Sequence, residues 1–567
     1  MAANHLLLHP NCIPTKFLPF ERKFSLSKTQ YRRCNIQVPV PRLLRCVAAT
    51  NVSDHATVLR NEEKPTNIWV YDYIQSLSSE YAGESHVKQQ DKLIGEVRSI
   101  LDNLVNPLEK LEAIDVLQRL GISYHFKDEI KRMLDDAYNE NVAGNDTLRK
   151  KHNLYATAIE FRLLRQHGYD VSTDAFNSFR DEVGNFKSGN TDNIRGMLSL
   201  YEASYLSVAV THGLEIPLHW RLLRLEARWF IDMYERSPNV NPILLDLAKL
   251  DFNIVQAIHQ EDLKQSSSWW MSTGLDKLSF ARDRLMECFF SAVGMTYEPY
   301  LGDCRKIIAV LIEVITVIDD VYDAHGTLEQ LELFTEAMDR WDVNLMDNLP
   351  DYMKIYFFAL NEFENKIASD ILNKKGINMI PFVKKAWTDY FKASLVEAQW
   401  YFSEHTPTLQ EHLANTWIST SLGILLVHAF FSLANPITKE ALDCLEQCPD
   451  VIRCAGTIMR LSDDLNTSLD ELECPTSIKC YMNETGATEE EAREKIRSVI
   501  ELSWKQMNKY RVTESPIPHE FTEAAMNLSR VCSSMYEHGD GFTHQETEIK
   551  GKILSLFSKP IPFVCKE

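Results

Sequence analysis

An all-α architecture is what this chain of 567 residues predicts. Three observations carry the expectation. Apolar residues recur at spacings of three and four from Trp69 onward, Gly and Pro punctuate the periodic segments, and no convincing run of alternating strand residues appears. Over residues 105–117 the pattern is helical, with Pro107 in the first turn, where its missing N–H is no loss. Residues 155–164 repeat the pattern and Gly168 stops it. The stretch Ser237, Pro238, Asn239, Val240, Asn241, Pro242 then interrupts the periodicity. It divides an N-terminal helical domain, 53–237, from a C-terminal helical domain, 238–567, that holds every candidate ligand.

Two acidic clusters stand out in the C-terminal part. Residues 307–318 are an apolar run with Glu313 as its only acidic residue, ending in Asp319, Asp320, Val321, Tyr322 and Asp323. On a helix, Asp319 and Asp323 stand one turn apart on one face. In the second cluster Asp463, Thr467 and Glu471 follow at four-residue intervals, a column of oxygen ligands roughly 12 Å long at 1.5 Å per residue. Leu461 and Leu465 alternate with them as on a half-buried helix. A like-charge pair one turn apart destabilises an isolated helix, and burying carboxylates without partners costs far more. Hard divalent cations remove that cost, since Mg²⁺ takes oxygen ligands and bridges carboxylates to substrate phosphates. The two clusters point to a diphosphate held between facing helices. Asp135 and Asp136, in a polar stretch, read instead as solvated surface.

Composition narrows the classes. The length predicts two to three domains with ample core, 45% of residues being apolar. The net charge is −20 and the basic residues form no stripe, which argues against nucleic acid as a partner. No uninterrupted apolar segment reaches membrane-spanning length. Twelve cysteines without a CxxC pair suit a reduced intracellular protein, with Cys444 and Cys448 expected as buried thiols. Residues 1–52 differ from the rest, with eight Lys or Arg and one acidic residue, Glu21. Such a leader reads as a mitochondrial or chloroplast transit peptide and is set apart from the fold.

The two clusters resemble the DDxxD and NSE/DTE metal motifs of class I terpene synthases. Arg282-Asp283-Arg284 is similar to that family's RxR diphosphate-binding motif and precedes the first cluster by 35 residues. The resemblance takes in Tyr201-Glu202, Arg224 to Phe230, and Tyr536 to Gly541, and covers nearly all of the chain after about residue 59. A lone DDxxD has little specificity. Both metal motifs and the Arg pair, in this order over about 190 residues, are specific, and the likeness is to angiosperm monoterpene synthases.

The resemblance implies a helical barrel-like N-terminal domain followed by the class I helical bundle. It implies that Asp319 and Asp323 bind two Mg²⁺ on one wall, and Asp463, Thr467 and Glu471 a third on the other, with Mn²⁺ as a substitute. Arg282, Arg284 and Arg460 would grip phosphate oxygens, with Asp320 and Asp464 orienting them. Phe289, Phe290, Trp417 and Tyr536 are candidate walls for a carbocation, and Tyr536 and Asp540 would lie on a closing loop. The implied substrate is geranyl diphosphate, in a monomer of the plastid stroma. Three departures from the family pattern appear. The segment 207–213 is shorter by several helical turns, residues 472–475 replace a longer basic loop, and Ser291 stands where relatives carry Trp. Leu59, Arg60 and Trp69 keep only one Arg of a tandem Arg pair associated with isomerisation before ring closure, so acyclic products are expected. The alternatives are an inactive or truncated relative and a sesquiterpene synthase using farnesyl diphosphate. A chain-elongating prenyltransferase would carry two DDxxD repeats, and a protonation-initiated cyclase a DxDD; neither occurs.

Overall fold

A computed structural model describes residues 69–142, 153–180, 194–204, 217–466, 475–536 and 547–563. All fall within one compact unit, Leu59–Glu567. The basic leader, the short link at 207–213, Leu59 and Arg60 lie outside the described residues. Among the described residues the structure is helical with no β-strand.

Seven helices come first: α1 (Tyr71–Ser76), α2 (Glu84–Asp102), α3 (Pro107–Arg119), α4 (Lys127–Val142), α5 (Leu154–Gln166), α6 (Ile194–Ser204) and α7 (Leu223–Glu235). The local signals explain their ends. Asn106 caps α3, its Oδ1 accepting from Leu108 N at 3.0 Å, with Pro107 just inside. Beyond α5, Gly168 takes φ +85°, a left-handed conformation that glycine adopts without a Cβ clash.

The 32-residue α8 (Pro242–Thr273) begins where Ser237 to Asn241 break the chain. Asn241 Oδ1 accepts from Ile243 N at 3.0 Å and Leu244 N at 3.3 Å, and Gly274 closes the far end at φ +74°. Asp251, on α8 and fully buried, ties the earlier helices to it. Gln90 Nε2 lies at 2.9 Å, His125 Nε2 at 2.8 Å and an Arg224 guanidinium nitrogen at 3.5 Å. A buried carboxylate is tolerable because these donors surround it.

The functional helices follow: α9 (Leu285–Met295), α10 (Gly302–Asp320), α11 (Leu328–Arg340), α12 (Asp351–Lys375), α13 (Ile380–Phe402), α14 (Leu409–Ser419) and α15 (Leu422–Leu433). The rest are α16 (Lys439–Glu446), α17 (Asp450–Asn466), α18 (Ser477–Thr485), α19 (Glu489–Val512), α20 (His519–Met535) and α21 (Thr547–Phe557). α10 is encased by α8, α9 and α15. Arg305, near its start and fully buried, donates from Nε to Asp262 on α8 at 3.1 Å and from Nη1 to the Thr296 carbonyl at 2.6 Å. No single described helix is long and apolar enough to cross a membrane; only the bent pair α14–α15 combines such length and composition, and the apolar side chains of α15 are buried in the bundle. Cys444 and Cys448 are free and half-buried rather than buried, and Cys448 at φ +57° lies beyond the end of α16, so they do not share a helix face.

Two expectations change at the acidic clusters. The first was expected as one α-helix through Asp323, but α10 ends at Asp320 and Val321–His325 forms a π turn. Gly326 N donates to Val321 O at 2.8 Å across the widened turn. In the second, the described part of α17 ends at Asn466; Thr467 and Glu471 lie outside the described residues.

Gly456 sets the height of the second cluster. A Cβ there would stand 2.4 Å from the Trp417 carbonyl oxygen of α14, so the two helices touch backbone to side-chain-free backbone. Arg460 lies one turn later. Gly456→Ala should therefore push α17 off α14, at about 1–3 kcal/mol of overpacking, and displace Arg460. Urea unfolding with intrinsic fluorescence measures this; a midpoint equal to that of the parent protein would contradict it.

Candidate active site

The first wall is the end of α10. Every residue from Ile308 to Ile318 is buried, including Glu313 at 0% exposure. Glu313 accepts from Arg284 N at 3.0 Å and Cys288 Sγ at 3.1 Å. Burial first, then the charge of Asp283, push its carboxyl up to about 8. That is how an apolar run carries an acid: in neutral form.

Asp319 comes next, half-buried, its Oδ1 accepting from the Tyr390 hydroxyl of α13. Burial raises it to about 6, against the lowering influence of Tyr390, Arg282 and Arg460. Asp323, on the π turn, is open to solvent yet ringed by protein. Loss of surrounding water is the main cause that raises it to about 7, and the charges of Asp319 and Glu397 add to it. Asp320 turns aside, with Oδ1 2.7 Å from Arg282 Nη2 and Oδ2 accepting from Arg282 N at 3.3 Å.

The second wall is α17. Arg460 Nη1 lies 3.3 Å from Asp463 and 3.9 Å from Asp464, and Nη2 lies 4.0 Å from Glu397 of α13. Its buried Nε has no hydrogen-bond partner among the described residues. Burial pushes this guanidinium down, but Glu397, Asp464 and Asp463 outweigh it and hold it charged. Asp464 Oδ2 accepts from Ser477 N at 2.8 Å, which fastens α17 to the start of α18. Asp319 and Asp323 feel the charges of Arg282 and Arg460, and α13 touches both clusters through Tyr390 and Glu397, which brings near each other two clusters 140 residues apart in sequence.

Most of the other expected residues are buried. Arg284, expected beside Arg282 at the phosphate, is 2% exposed at the start of α9, where its charge acts on Glu287. Phe289 is fully buried and packs edge-on against Phe557 of α21 with centroids 5.3 Å apart. Phe290 is fully buried. Trp417 lines a separate cavity of about 470 Å³ with Phe382, Ile424, Val427 and Ile452, and none of the acidic candidates borders it. Tyr536, buried at the end of α20, is in electrostatic reach of Arg460. Asp540 lies outside the described residues. Two polar residues of the site were not anticipated, Tyr390 and Glu397. Glu397 accepts from Asn415 Nδ2 at 3.4 Å and from the Ser419 hydroxyl. A single polar residue on an amphipathic helix gives no motif to read.

The donor set suits a hard divalent cation. Two carboxylates repel each other here, and the nearest cations, Arg282 and Arg460, are already engaged by Asp320, Asp463 and Glu397. Positive charge with oxygen affinity is what the cleft lacks. Among the described residues no three His, Cys, Asp or Glu side chains converge into a full ligand set; Thr467 and Glu471 stand outside them.

Residues 68–229 match the terpene synthase N-terminal domain, and residues 271–506 the terpene synthase family metal binding domain. The chain belongs to the terpene synthase family. It is 51% identical to the chloroplastic myrcene synthase of Quercus ilex over 92% of this chain and 93% of that one. It is 47% identical to the (−)-alpha-terpineol synthase of Vitis vinifera over all of both chains. That alignment spans 602 positions against the 567 residues here, so this terpene synthase lacks residues the relative carries. A crystal structure of limonene synthase with 2-fluorolinalyl diphosphate superposes with a TM-score of 0.83 at 38% identity, covering 87% of this chain and 98% of that one. Isoprene synthase from grey poplar, solved with three Mg²⁺ ions and dimethylallyl-S-thiolodiphosphate, gives 0.78 at 38% identity, covering 88% and 100%. The fold is thus the class I terpene synthase fold, and the enzyme is a monoterpene synthase, a carbon–oxygen lyase acting on a prenyl diphosphate with a divalent metal.

The raised carboxyls have a consequence for the metal-free protein. A carboxyl whose folded pKa exceeds its unfolded value favours folding below the unfolded value, and that contribution is lost as pH rises through the folded one. For Asp323 the window runs from about 4 to about 7. Asp323→Asn should therefore be more stable than the parent protein above pH 7 in chelator, with the gap closing towards pH 4. Urea unfolding across that range measures it. A constant gap would contradict the repulsion inferred here.

Proposed function

We propose that this terpene synthase ionises geranyl diphosphate with Mg²⁺ and releases mainly an acyclic monoterpene. The observation that carries the reading is the pairing across one cleft of Asp319 and Asp323 with Arg282 and Arg460. Splitting the allylic carbon–oxygen bond leaves a hydrocarbon cation and inorganic diphosphate. In a cleft poor in water the barrier falls only where positive charge waits for the departing oxygens. Bound divalent ions supply most of that charge. We assign Asp319 and Asp323 to hold two of them and Asp463, Thr467 and Glu471 the third, with Mn²⁺ as a substitute.

The chain's own cations do the rest. Arg282, steadied by Asp320, and Arg460, steadied by Asp463 and Glu397, point donors at the phosphate oxygens, while Arg284 adds charge from behind. Tyr536 lends an aromatic face near Arg460, where it also keeps water from the cation. The reading places residues 53–237 and 238–567 as two helical domains of a monomer, and residues 1–52 as a leader to the plastid stroma. The relatives named chloroplastic support the compartment. Incubating geranyl diphosphate with Mg²⁺ should release diphosphate, and Asp323→Ala should lower turnover about 100-fold or more without loss of helicity. Turnover near that of the parent protein at saturating Mg²⁺ would remove Asp323 from the site, and no release by the parent protein would favour an inactive relative.

Product class follows from the wall and the N-terminal segment. Trp69 is buried and hydrogen-bonds to the Glu287 carboxyl of α9, which docks the start of the described chain on the helix that carries Ser291. Leu59 lacks the charged fork that an Arg would bring. Ser291, its hydroxyl donating to the Glu287 carbonyl at 3.0 Å, is far smaller than Trp and encloses less. Both features favour early loss of a proton from, or water capture by, an extended cation, giving myrcene, ocimene, linalool or geraniol. Gas chromatography of products from geranyl diphosphate checks this, and a predominantly bicyclic profile would overturn it.

A further inference from the structure

Behind Asp319 lies a buried polar chain that no motif announces. The Tyr390 hydroxyl donates to Asp319 Oδ1, and Tyr390 is 1% exposed. Among the described residues the one hydrogen bond to the half-buried Asp319 carboxyl is this one to Oδ1, so Tyr390 holds one oxygen and leaves Oδ2 unengaged. Tyr390 is itself held. Trp387 and Phe391, its neighbours on α13, pack on it edge to face at 5.8 and 5.3 Å and stack on each other at 5.5 Å. Trp387 Nε1 donates to Glu364 Oε1 of α12 at 2.6 Å. Glu364 Oε2 lies 2.9 Å from His428 Nε2 of α15, whose Nδ1 lies 2.8 Å from the Ile424 carbonyl. Burial pushes His428 down, but the charge and hydrogen bond of Glu364 outweigh it and raise it above the usual imidazole value, with an oxygen facing each ring nitrogen. Helices α12, α13 and α15 are thus linked behind the Tyr390 ring.

We propose that Tyr390 is a positioning residue for the metal site, fixing the Asp319 carboxylate in the orientation that presents its second oxygen to a divalent ion. The inference rests on the ligand role assigned to Asp319 above. A carboxylate turns almost freely about its last bond, and one directed donor removes that freedom before the ion arrives. Outer partners of this kind are worth about 10–100-fold in metal affinity. The Glu364–His428 pair serves by anchoring the indole beneath Tyr390.

The test reads metal binding without turnover. Thermal unfolding of the full chain is followed against Mg²⁺ at fixed inorganic diphosphate for the parent protein, Tyr390→Phe and Tyr297→Phe, the last a buried tyrosine on the α8 side of the bundle. Tyr390→Phe should need about 10-fold more Mg²⁺ for its half-maximal shift, and turnover should recover at saturating Mg²⁺. Tyr297→Phe should match the parent protein. Trp387→Phe, which cuts the bond to Glu364 but keeps a ring under Tyr390, should move the requirement in the same direction and covers a poorly folding Tyr390→Phe. An unchanged requirement in Tyr390→Phe, or an equal rise in Tyr297→Phe, would overturn the proposal while leaving the metal site intact. A parent protein with no Mg²⁺-dependent shift would overturn both.

Discussion

The molecule is organised around carboxylates that repel one another at the end of an apolar helix. Burial and the charge of Asp320 raise Asp319 to about 6, and burial with the charges of Asp319 and Glu397 raises Asp323 to about 7, yet the folded protein keeps them there. A protein can hold such a pair only if the surrounding scaffold is stable enough to carry the cost. Much of the rest of the chain can be read as that scaffold.

Each wall is fixed at a point away from the cleft. α10 is pinned near its start by Arg305 to Asp262, 14 residues before Asp319, and the buried length between acts as a stiff rod. α17 is pinned by the contact at Gly456 before Arg460 and by Asp464 to Ser477 after it. α13 brings Tyr390 to the first wall and Glu397 to the second, and so couples the two. The π turn at Val321–His325 lets Asp323 leave the helix without leaving the site.

What could be read from the sequence follows from how local the signals are. Helix ends with Asn–Pro starts and left-handed Gly stops, as at Asn106, Asn241 and Gly168, are written in two or three adjacent residues. The all-α class and the acidic clusters were legible for the same reason. The π turn was not, since it depends on how α10 meets the loop before α11 rather than on residue preference. Arg284 was expected at the phosphate from its likeness to a motif and Phe289 as an aromatic wall, and neither signal tells how deeply the side chain is buried. Burial of that kind is set by partners distant in sequence, such as Glu313 for the Arg284 backbone and Phe557 for the Phe289 ring. Tyr390 and Glu397 sit 71 and 78 residues beyond Asp319, with no spacing to link them to it.

The neutral state of Glu313 closes the electrostatic argument. It sits within the helix that carries Asp319 and accepts from the backbone of the Arg282–Arg284 loop. Were it ionised, it would add a third negative charge behind two that already repel, and would compete with a diphosphate for the loop's guanidinium groups. Burial raises it to about 8, so at neutral pH it contributes a hydrogen-bonding frame without charge. The helix behind Asp319 therefore adds no further negative charge to the pair. Ionisation of an allylic diphosphate needs this restraint, since the same apolar surroundings that protect the carbocation would otherwise make every unpaired charge near it prohibitive.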